Sequence, residues 1–414
     1  MGPAARVVVC AALVSFVGGG VATAGTAGAA AATPAARAAR PASAGLEQSW
    51  TSATGTWAVV AMGHYDEPRN TFWQVLFRPA GSARWTLVTP PGVASNGGFS
   101  ADGLPGSAGT SGTVTAGFQP SVSLTYSPIA QTSDDGKRWS AGTLPTGLLP
   151  VADAVADGAG GVVLALVRSK GGTLVRADGS LTIWKPVVTR RALDATAAGR
   201  DCGVEAFTAV AGAAGPRGSP ELGASCATPG VVGLFHVSSG RWLLTAVRLR
   251  GLTGSTFTVL RLQGGASGTS AIVEARDGHG ASLVALWRRG PSATWEASSP
   301  VRLQGTVLST ASTGGTAFLV VTGSGFHARG LLWIGAPRHA WRSLGPPPPG
   351  TQVVVAAPSA VEEAGALGSE AGPGELSALE VSGSDVRVWE RAAGGAWRRT
   401  AQRFDVPIEY GSST

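Results

Sequence analysis

The chain has 414 residues, of which 44% are hydrophobic and only 14% charged, and its formal net charge is +7. The basic excess comes from 29 arginines against 3 lysines, and these residues are spread along the whole chain. Such a distribution argues against a nucleic-acid site, which needs a basic face with aromatic neighbours. The five histidines lack metal-ligand spacing, so neither a metal site nor a cofactor is expected.

Residues 1–24 have the features of an export signal. Arg6 precedes the apolar run Val7–Val17, and Ala22-Thr23-Ala24 forms a small-residue cleavage site before Gly25. The run is shorter than the ~20 apolar residues of a membrane span, and no other segment comes close to that length. We therefore expect cleavage after Ala24, no stable membrane insertion, and secretion to the extracellular space or the cell surface.

Residues 25–45 are almost entirely Ala, Thr, Pro, Gly and Arg. Such a composition buries too little apolar area to offset the entropy lost on ordering the chain. We expect a disordered linker at 25–45, followed by a folded domain at 46–414.

Seven tryptophans recur through that domain at intervals of 45 to 58 residues. They are Trp85, Trp139, Trp184, Trp242, Trp295, Trp341 and Trp397. A repeat of roughly 50 residues rich in short strands is typical of a β-propeller, in which each blade is one four-stranded sheet. The predicted fold is thus all-β, a seven-bladed β-propeller of four-stranded antiparallel blades, one for each of repeats 1 to 7.

Repeat 5 shows the predicted blade most clearly. Its β runs are Thr256–Leu262, Thr269–Arg276, Ala281–Trp287 and the neighbourhood of Trp295, separated by Gly-rich turns. In four repeats a bulky ring stands eight residues before the closing tryptophan: Phe77, Trp287, Trp333 and Trp389. We expect these rings to pack between blades; stacking on a ligand is the alternative.

The two ends of the domain predict how the ring closes. Only about 40 residues separate Leu46 from Trp85, which leaves repeat 1 one strand short. The alternating segment Phe404–Tyr410 follows the last tryptophan and has strand length. We therefore expect this C-terminal strand to form the innermost strand of blade one.

Cys202 and Cys226 are the two cysteines after the signal. An oxidising destination favours a disulfide. Cys202 precedes the apolar stretch Val204–Val210, and Cys226 follows the segment Glu221–Ser225. The start of one hairpin strand lies beside the end of its partner, so the two sulfurs are expected to meet.

Three polar groups are candidates for binding. The densest is the loop between the second and third strands of repeat 1, with His64, Tyr65, Asp66, Glu67, Arg69 and Asn70. Its alternative is a solvated loop held by contacts of Asp66 with Arg69 or Asn70. The link entering repeat 4 supplies the second group, with Arg190, Arg191, Asp194, Arg200 and Asp201, although Arg200 and Asp201 could simply pair. Tyr126 of repeat 2 could add an aromatic wall.

The segment Thr132-Ser133-Asp134-Asp135-Gly136-Lys137-Arg138-Trp139 has the spacing of an Asp box. In such a turn the Asp accepts backbone N–H bonds, the Gly permits positive φ, and the aromatic ring covers the turn. A degenerate copy around Asp178 ends at Trp184. With its phased tryptophans, the chain from 46 to 410 resembles Asp-box (BNR-type) propellers of the sialidase-like superfamily, including exported actinobacterial propellers of unassigned function.

The resemblance implies that Thr132, Asp134, Gly136 and Trp139 are structural, because Asp boxes lie opposite the catalytic face. Sialidase activity would need three arginines, a Tyr–Glu pair and an Asp acid, yet the chain has only Tyr65, Tyr126 and Tyr410. Arg78 resembles the family's arginine motif, but it falls on the turn that carries Trp85. We expect a monomeric, non-catalytic binding or scaffold protein with a glycan or protein ligand; the alternative is a sialidase-like glycoside hydrolase.

Overall fold

The structure is a computed structural model with two compact units, of which the first, Met1–Arg40, lies outside the described residues. In the second unit, Pro41–Thr414, it describes residues 49–52, 54–63, 71–91, 101–103, 113–118, 126–145, 152–157, 162–167, 172–212, 219–265, 268–290, 293–313, 317–324, 327–335, 339–356 and 373–405. The predicted signal and linker fall outside these ranges.

The first three sheets have four antiparallel strands each, in chain order. Sheet 1 contains β1 (Ser49–Ser52), β2 (Gly55–Gly63), β3 (Thr71–Pro79) and β4 (Thr86–Leu87). Sheet 2 contains β5 (Ala101–Gly103), β6 (Val114–Phe118), β7 (Tyr126–Thr132) and β8 (Ser140–Pro145). Sheet 3 contains β9 (Ala152–Asp157), β10 (Val162–Val167), β11 (Thr173–Asp178) and β12 (Lys185–Thr189).

Two short helices and a nine-stranded sheet follow. The helices are α1 (Arg190–Asp194) and α2 (Ala197–Cys202). Sheet 4/5 begins with β13 (Val204–Ala211), β14 (Glu221–Cys226), β15 (Gly233–Ser238) and β16 (Arg241–Leu244). It continues with β17 (Thr256–Gly265), β18 (Gly268–Asp277), β19 (Gly280–Arg288), β20 (Glu296–Ala297) and β21 (Val301–Arg302).

The last two sheets again have four strands each in chain order. Sheet 6 contains β22 (Thr306–Thr313), β23 (Ala317–Ser324), β24 (His327–Ile334) and β25 (Arg342–Ser343). Sheet 7 contains β26 (Thr351–Ala356), β27 (Leu376–Ser382), β28 (Asp385–Arg391) and β29 (Arg398–Asp405). The strands predicted for repeat 5 are confirmed to within a few residues at their ends.

Repeats 4 and 5 share one sheet. β14 pairs with β17 at two positions, Ser225 with Thr258 and Cys226 with Phe257, which joins two groups of strands through their backbones. The all-β prediction is confirmed, since the described regular structure is β apart from two short helices. The count of seven separate blades remains a prediction.

Central strands are buried on both faces, and this links each sheet to the next. In β2, Trp57, Val59 and Ala61 join a cluster with residues of sheet 2, while Ala58 and Val60 join one with sheet 7. Further clusters join sheets 2, 3 and 4/5, the two halves of sheet 4/5, sheet 4/5 with sheet 6, and sheet 6 with sheet 7. Hydrophobic contacts therefore run through the sheets in chain order and return from the last to the first.

The predicted closing strand is wrong where the structure describes it. Phe404 and Asp405 end β29, in which Phe404 pairs with Val386 of the neighbouring β28, and residues 406–410 lie outside the described residues. The first strand of sheet 1 is instead β1, which precedes β2 in the chain. Ser52 at the end of β1 pairs with Gly55 at the start of β2. Glycine is needed at position 55 because a Cβ there would lie 2.2 Å from the carbonyl oxygen of Arg78 in β3.

The bulky rings before the closing tryptophans lie in hydrophobic contacts between strands. Phe77 is buried with its ring centroid 4.5 Å from that of Trp57, and the ring of Trp287 lies 5.9 Å from that of Phe318 in sheet 6. Trp333 and Trp389 both belong to the cluster between sheets 6 and 7. This placement agrees with the predicted packing role.

Candidate functional site

The densest predicted binding loop cannot be placed. His64, Tyr65, Asp66, Glu67, Arg69 and Asn70 all fall between β2 and β3 and lie outside the described residues. The flanking strands fix where the loop starts and ends, because Gly63 pairs with Thr71 at the end of sheet 1. We call this end, where the second and third strands of a sheet are connected, the 2–3 end.

Tyr126 occupies the equivalent position in sheet 2. It is the first residue of β7 and is half-buried at the 2–3 end of that sheet. Thr132, the last residue of the same strand, begins the Asp-box turn at the opposite end. The two features therefore lie a full strand length apart.

The link between sheets 3 and 4/5 is helical, which the sequence analysis did not predict. Thr189 and Thr196 cap the two helices, and their side-chain oxygens accept from the backbone N–H groups of Ala192 (3.1 Å) and Gly199 (3.0 Å). A Thr that begins a run of Ala, Leu and Arg is a recognisable helix start. Thr189 and Thr196 therefore indicated two helix starts in the sequence, although the link was predicted only as a polar segment.

Both ends of the helical link lie at 2–3 ends. Thr189 pairs with Thr173, the first residue of the third strand of sheet 3. At the other side, Val204 pairs with Cys226, the last residue of the second strand in its group. The link therefore lies at the same end of its sheets as Tyr126 does in sheet 2.

Arg200 and Asp201 are both exposed on α2, and the expected alternative of an ion pair between them is not found within the described residues. Arg200 Nη1 instead donates to the carbonyl of Ala195 at 2.7 Å. Nearby, Arg190 lies 4.0 Å from Asp194 and also donates to the carbonyl of Glu205 at 3.1 Å. Both arginines thus donate to backbone carbonyls, and the Asp201 side chain is exposed.

The predicted disulfide is present and holds the end of that helix. The Cys202 and Cys226 sulfurs lie 2.02 Å apart, with the Cα atoms separated by 4.9 Å, and both residues are fully buried. The bond ties the last residue of α2 to the last residue of β14. Arg200 and Asp201 are therefore positioned by a covalent link to the sheet.

The Asp-box turn has the hydrogen bonds expected from its sequence. Asp134 accepts from the Arg138 backbone N–H at 2.9 Å and from Arg138 Nε at 2.8 Å, and Thr132 Oγ1 donates to it at 2.9 Å. These bonds lower the pKa of the Asp134 carboxyl to about 2. All of its partners lie within the turn, which fits a structural role.

The turn also contacts the preceding repeat. Trp139 Nε1 donates to the carbonyl of Val88 at 2.8 Å, and Gly136, with φ of +79°, leaves no room for a Cβ, which would lie 2.6 Å from Val88. Trp184 donates in the same way to the carbonyl of Thr143 at 3.0 Å, and Trp341 to Ser298 Oγ at 3.2 Å. These three closing tryptophans therefore join neighbouring repeats by hydrogen bonds as well as by packing.

Three arginines stack on closing tryptophans, which the sequence analysis missed. The guanidinium carbons of Arg78, Arg288 and Arg391 lie 5.2, 5.0 and 5.9 Å from the ring centroids of Trp85, Trp295 and Trp397. Arg78 and Arg288 each stand seven residues before their tryptophan. This shared spacing of seven residues could have predicted the stacking of arginine on the closing tryptophan.

Arg288 forms a buried ion pair between the halves of sheet 4/5. It contacts Glu221 of β14, which also accepts from Thr269 Oγ1 at 3.1 Å. Burial raises the pKa of Glu221, and Arg288 and Thr269 oppose that change. Burial, followed by the charge of Arg288, lowers the pKa of the neighbouring His236. The Arg288–Glu221 pair is therefore a structural contact that is shielded from solvent between the two halves of sheet 4/5.

Arg78 has the corresponding position between sheets 1 and 7. Its Nη1 donates to Ser377 Oγ at 2.7 Å and lies 4.0 Å from the half-exposed Glu375. Burial lowers the pKa of Arg78, while the Glu375 and Glu390 carboxylates act in the opposite direction. Burial, together with the charge of Glu375, raises the pKa of Glu390. This cluster has two carboxylates but a single arginine, and it lies at the end of the sheet away from the 2–3 end.

One charged group combines two arginines with three carboxylates, but it includes neither the third arginine nor the tyrosine that sialidase activity would need. Arg387 lies 3.2 Å from Glu380 and 3.6 Å from Asp385, and Arg403 lies 2.7 Å from Asp385 and 3.7 Å from Asp405. These residues belong to the second, third and fourth strands of sheet 7, away from its first strand. Their charges are engaged with one another.

The described residues contain no cluster of three or more His, Cys, Asp or Glu that could hold a metal ion. In the same part of the chain, none of the helices has the length and apolar character needed to cross a membrane.

No protein-family model matches the chain, and neither does any curated protein. Its structural neighbours are β-propeller proteins. A putative 6-phosphogluconolactonase from Bacteroides uniformis is similar over 84% of this chain and 97% of its own, with a TM-score of 0.50 and 12% identity.

Two further neighbours are more distant. TolB from Acinetobacter baumannii matches over 71% of this chain but only 64% of its own, with a TM-score of 0.43 and 11% identity. The β-propeller domain of the Trilobed protease from Pyrococcus furiosus, with its open velcro topology, matches over 89% of this chain and 97% of its own at a TM-score of 0.35 and 8% identity. At these identities the likeness concerns the fold alone.

Proposed function

We propose that this chain is a secreted, monomeric, non-catalytic binding or scaffold protein. Its folded domain is proposed to be a seven-bladed β-propeller of four-stranded blades, preceded by a signal that is cleaved and by a disordered linker. Support for the ring comes from the hydrophobic clusters, which connect the sheets in chain order and join sheet 7 to sheet 1. Support for seven blades comes from the strands that accompany each closing tryptophan, which number four in every repeat except repeat 5, where a short fifth strand, β21, is added.

The observation that carries the binding proposal is the disulfide-anchored helix α2. It presents Arg200 and Asp201, both exposed, at the 2–3 end of its sheets on a segment that Cys202 fixes covalently. In a propeller the corresponding ends of all blades share one face. Tyr126 belongs to that face by the same argument, and so do Gly63 and Thr71, which flank the loop from His64 to Asn70. A ligand of this face would be a glycan or a protein segment with hydrogen-bonding and charged groups.

The polar residues at the opposite ends support this choice of face. The Arg78, Arg288 and Asp134 side chains are engaged in contacts within a turn or between repeats. Residues engaged in this way maintain the scaffold. Helix α2, in contrast, presents the exposed side chains of Arg200 and Asp201 at a 2–3 end, and exposed charges of this kind are typical of binding surfaces.

Binding to glycan and protein-fragment arrays tests the proposal. We expect wild type to bind a defined ligand class, and we expect both Arg200→Ala/Asp201→Ala and Asp66→Ala/Glu67→Ala/Arg69→Ala to lose at least tenfold in affinity. The matched control is Arg398→Ala/Arg399→Ala, which removes two exposed charges from the outer strand β29 and should bind normally. Unchanged binding by both site variants would contradict the proposed face. Turnover of an arrayed glycan that disappears in Arg387→Ala would favour the hydrolase.

A further inference from the structure

Sheets 1 and 7 meet without sharing a strand. β1 lies at the start of sheet 1, and β29 lies at the end of sheet 7 against β28. Consecutive sheets elsewhere are joined by the chain itself, whereas sheets 1 and 7 are its first and last. Within the described residues, the contacts between these two sheets come from side chains.

A glutamine side-chain amide pairs with the backbone of β2. In the part of the chain that the structure describes, the pairing of β1 with β2 reaches Ser49 with Ala58, and Ala61 lies three residues further along β2. Gln352 is the bulged residue of β26, and its Oε1 accepts from the Ala61 N–H at 2.8 Å while its Nε2 donates to the Ala61 carbonyl at 2.7 Å. A primary amide offers the same donor and acceptor as a peptide group, so Gln352 pairs with β2 as a strand residue would.

Two further contacts accompany this pair. Arg78 donates to Ser377 Oγ at 2.7 Å, and the backbone N–H of Trp85 donates to Gln402 Oε1 at 3.2 Å. Together with the cluster that contains Trp85, Val353 and Val386, they complete the contact between the two sheets. We call this set of contacts the side-chain seam.

We infer that the side-chain seam is the place where the ring of sheets opens, so that sheets 1 and 7 separate while every other junction stays closed. Two features of the molecule support this. Among the described residues no chain segment runs directly between the two sheets, and the Ala61 N–H and carbonyl and the Trp85 N–H are hydrogen-bonded by glutamine side chains of the other sheet. Opening exposes the edge of β2 at Ala61 and the apolar residues that faced β26.

Hydrogen exchange followed by mass spectrometry or NMR tests the seam in the full chain. The Ala61 amide is the most direct reporter, because its hydrogen bond is to Gln352. In wild type at low denaturant we expect β2 and β26 to exchange through an opening that leaves Phe257 and Thr258 of β17 protected. In Gln352→Ala we expect exchange at β2 and β26 to rise at least tenfold, with β17 unchanged.

The matched control is Gln263→Ala. Like the half-buried Gln352, the buried Gln263 is a glutamine on a first strand, and its Oε1 accepts from Ser312 Oγ across the junction of sheets 4/5 and 6. This variant should raise exchange around β17 and β22 and leave Ala61 unaffected. Equal exchange at Ala61 in Gln352→Ala and wild type would overturn the inference, as would wild-type exchange of β2, β26 and β17 at one common rate. If Gln352→Ala does not fold, the wild-type measurement decides alone.

Discussion

Two junctions of this molecule hold equivalent residues in different ways. Between repeats 4 and 5, backbone pairing of β14 with β17 is reinforced by the Arg288–Glu221 pair, and the Cys202–Cys226 disulfide ties α2 to the same strand. Between repeats 7 and 1, Arg78 occupies the position of Arg288, but its carboxylate neighbours are more exposed and no strand is shared.

The comparison shows how one sequence pattern serves two purposes. An arginine seven residues before the closing tryptophan gives the same stacking geometry at both junctions. The surroundings decide how much the arginine contributes to stability, because breaking a buried ion pair with a carboxylate lowers the free energy of unfolding more than breaking a half-exposed one. We therefore expect one permanent junction and one that opens.

The largest expected effect is at the permanent junction. Arg288→Ala leaves Glu221 buried without its cation and should lower the free energy of unfolding by about 3 to 5 kcal/mol. Chemical denaturation measures this change. The exposed neighbour Arg289→Ala is the control and should differ from wild type by less than about 0.5 kcal/mol. Equal stability of the two variants would contradict the structural role of the pair.

Removing the disulfide should have the next largest effect. The variant Cys202→Ala/Cys226→Ala loses a cross-link with a sequence separation of 24, which stabilises by about 3 kcal/mol. Denaturation with and without a reductant measures it, and reduced wild type should approach the variant. Identical midpoints for oxidised wild type and the variant would show that the bond does not support this region.

Arg78→Ala should lower the free energy of unfolding by about 2 kcal/mol, which is less than Arg288→Ala. The substitution removes a charge-assisted hydrogen bond to Ser377, whereas the ion pair that it breaks, with Glu375, is long and half-exposed. The exposed Arg84→Ala serves as its control. The comparison of junctions fails if Arg78→Ala destabilises the protein as much as Arg288→Ala does.

A smaller, pH-dependent effect is expected at the Asp-box turn. Since the pKa of Asp134 is lowered to about 2, its contribution to stability is present above the unfolded pKa and is lost as the pH falls towards 2. Asp134→Asn should lower the Tm by about 2 to 4 °C at pH 7. Thermal scans from pH 7 to 2 should show this difference shrinking below about pH 4. If the Tm difference between wild type and Asp134→Asn stays constant with pH, the ionised Asp134 carboxylate does not stabilise the turn.

The smallest effect should come from Glu390→Gln, and its sign is opposite. The raised pKa of Glu390 means that the folded state favours the protonated form, so stability from this group is present at low pH and is lost as the pH rises through the folded pKa. The neutral amide should therefore raise the Tm slightly at pH 7 and make no difference below about pH 4. A lower Tm at pH 7 would mean that Glu390 is needed as the counter-charge of Arg78.

Local sequence signals predicted much of the fold. The Gly-rich turns and the closing tryptophan located the strands of repeat 5, and the placement of Cys202 and Cys226 at hairpin strand ends predicted their bond. These signals act over a few residues, and the backbone obeys them directly. The Asp box was predictable for the same reason, since Thr132, Asp134 and Arg138 lie within one turn.

Long-range pairing was harder to predict. The segment from Phe404 has the alternation of a strand, but alternation does not say which sheet the strand joins. The four-residue β1 was too short to stand out before Trp57. The Gln352 contact with Ala61 spans 291 residues, and nothing in the local sequence of either partner indicates the other.

The central claim, that side chains close the ring between sheets 1 and 7, is tested most directly by a spin-label distance across the seam. Labels at Leu87→Cys on β4 and Arg399→Cys on β29 occupy exposed positions on the two sheets, with Cys10 replaced by Ser. We expect a single short distance in wild type, with a second, longer population in Gln352→Ala. A broad and long distribution in wild type would contradict the account, because sheets 1 and 7 would then not be in contact.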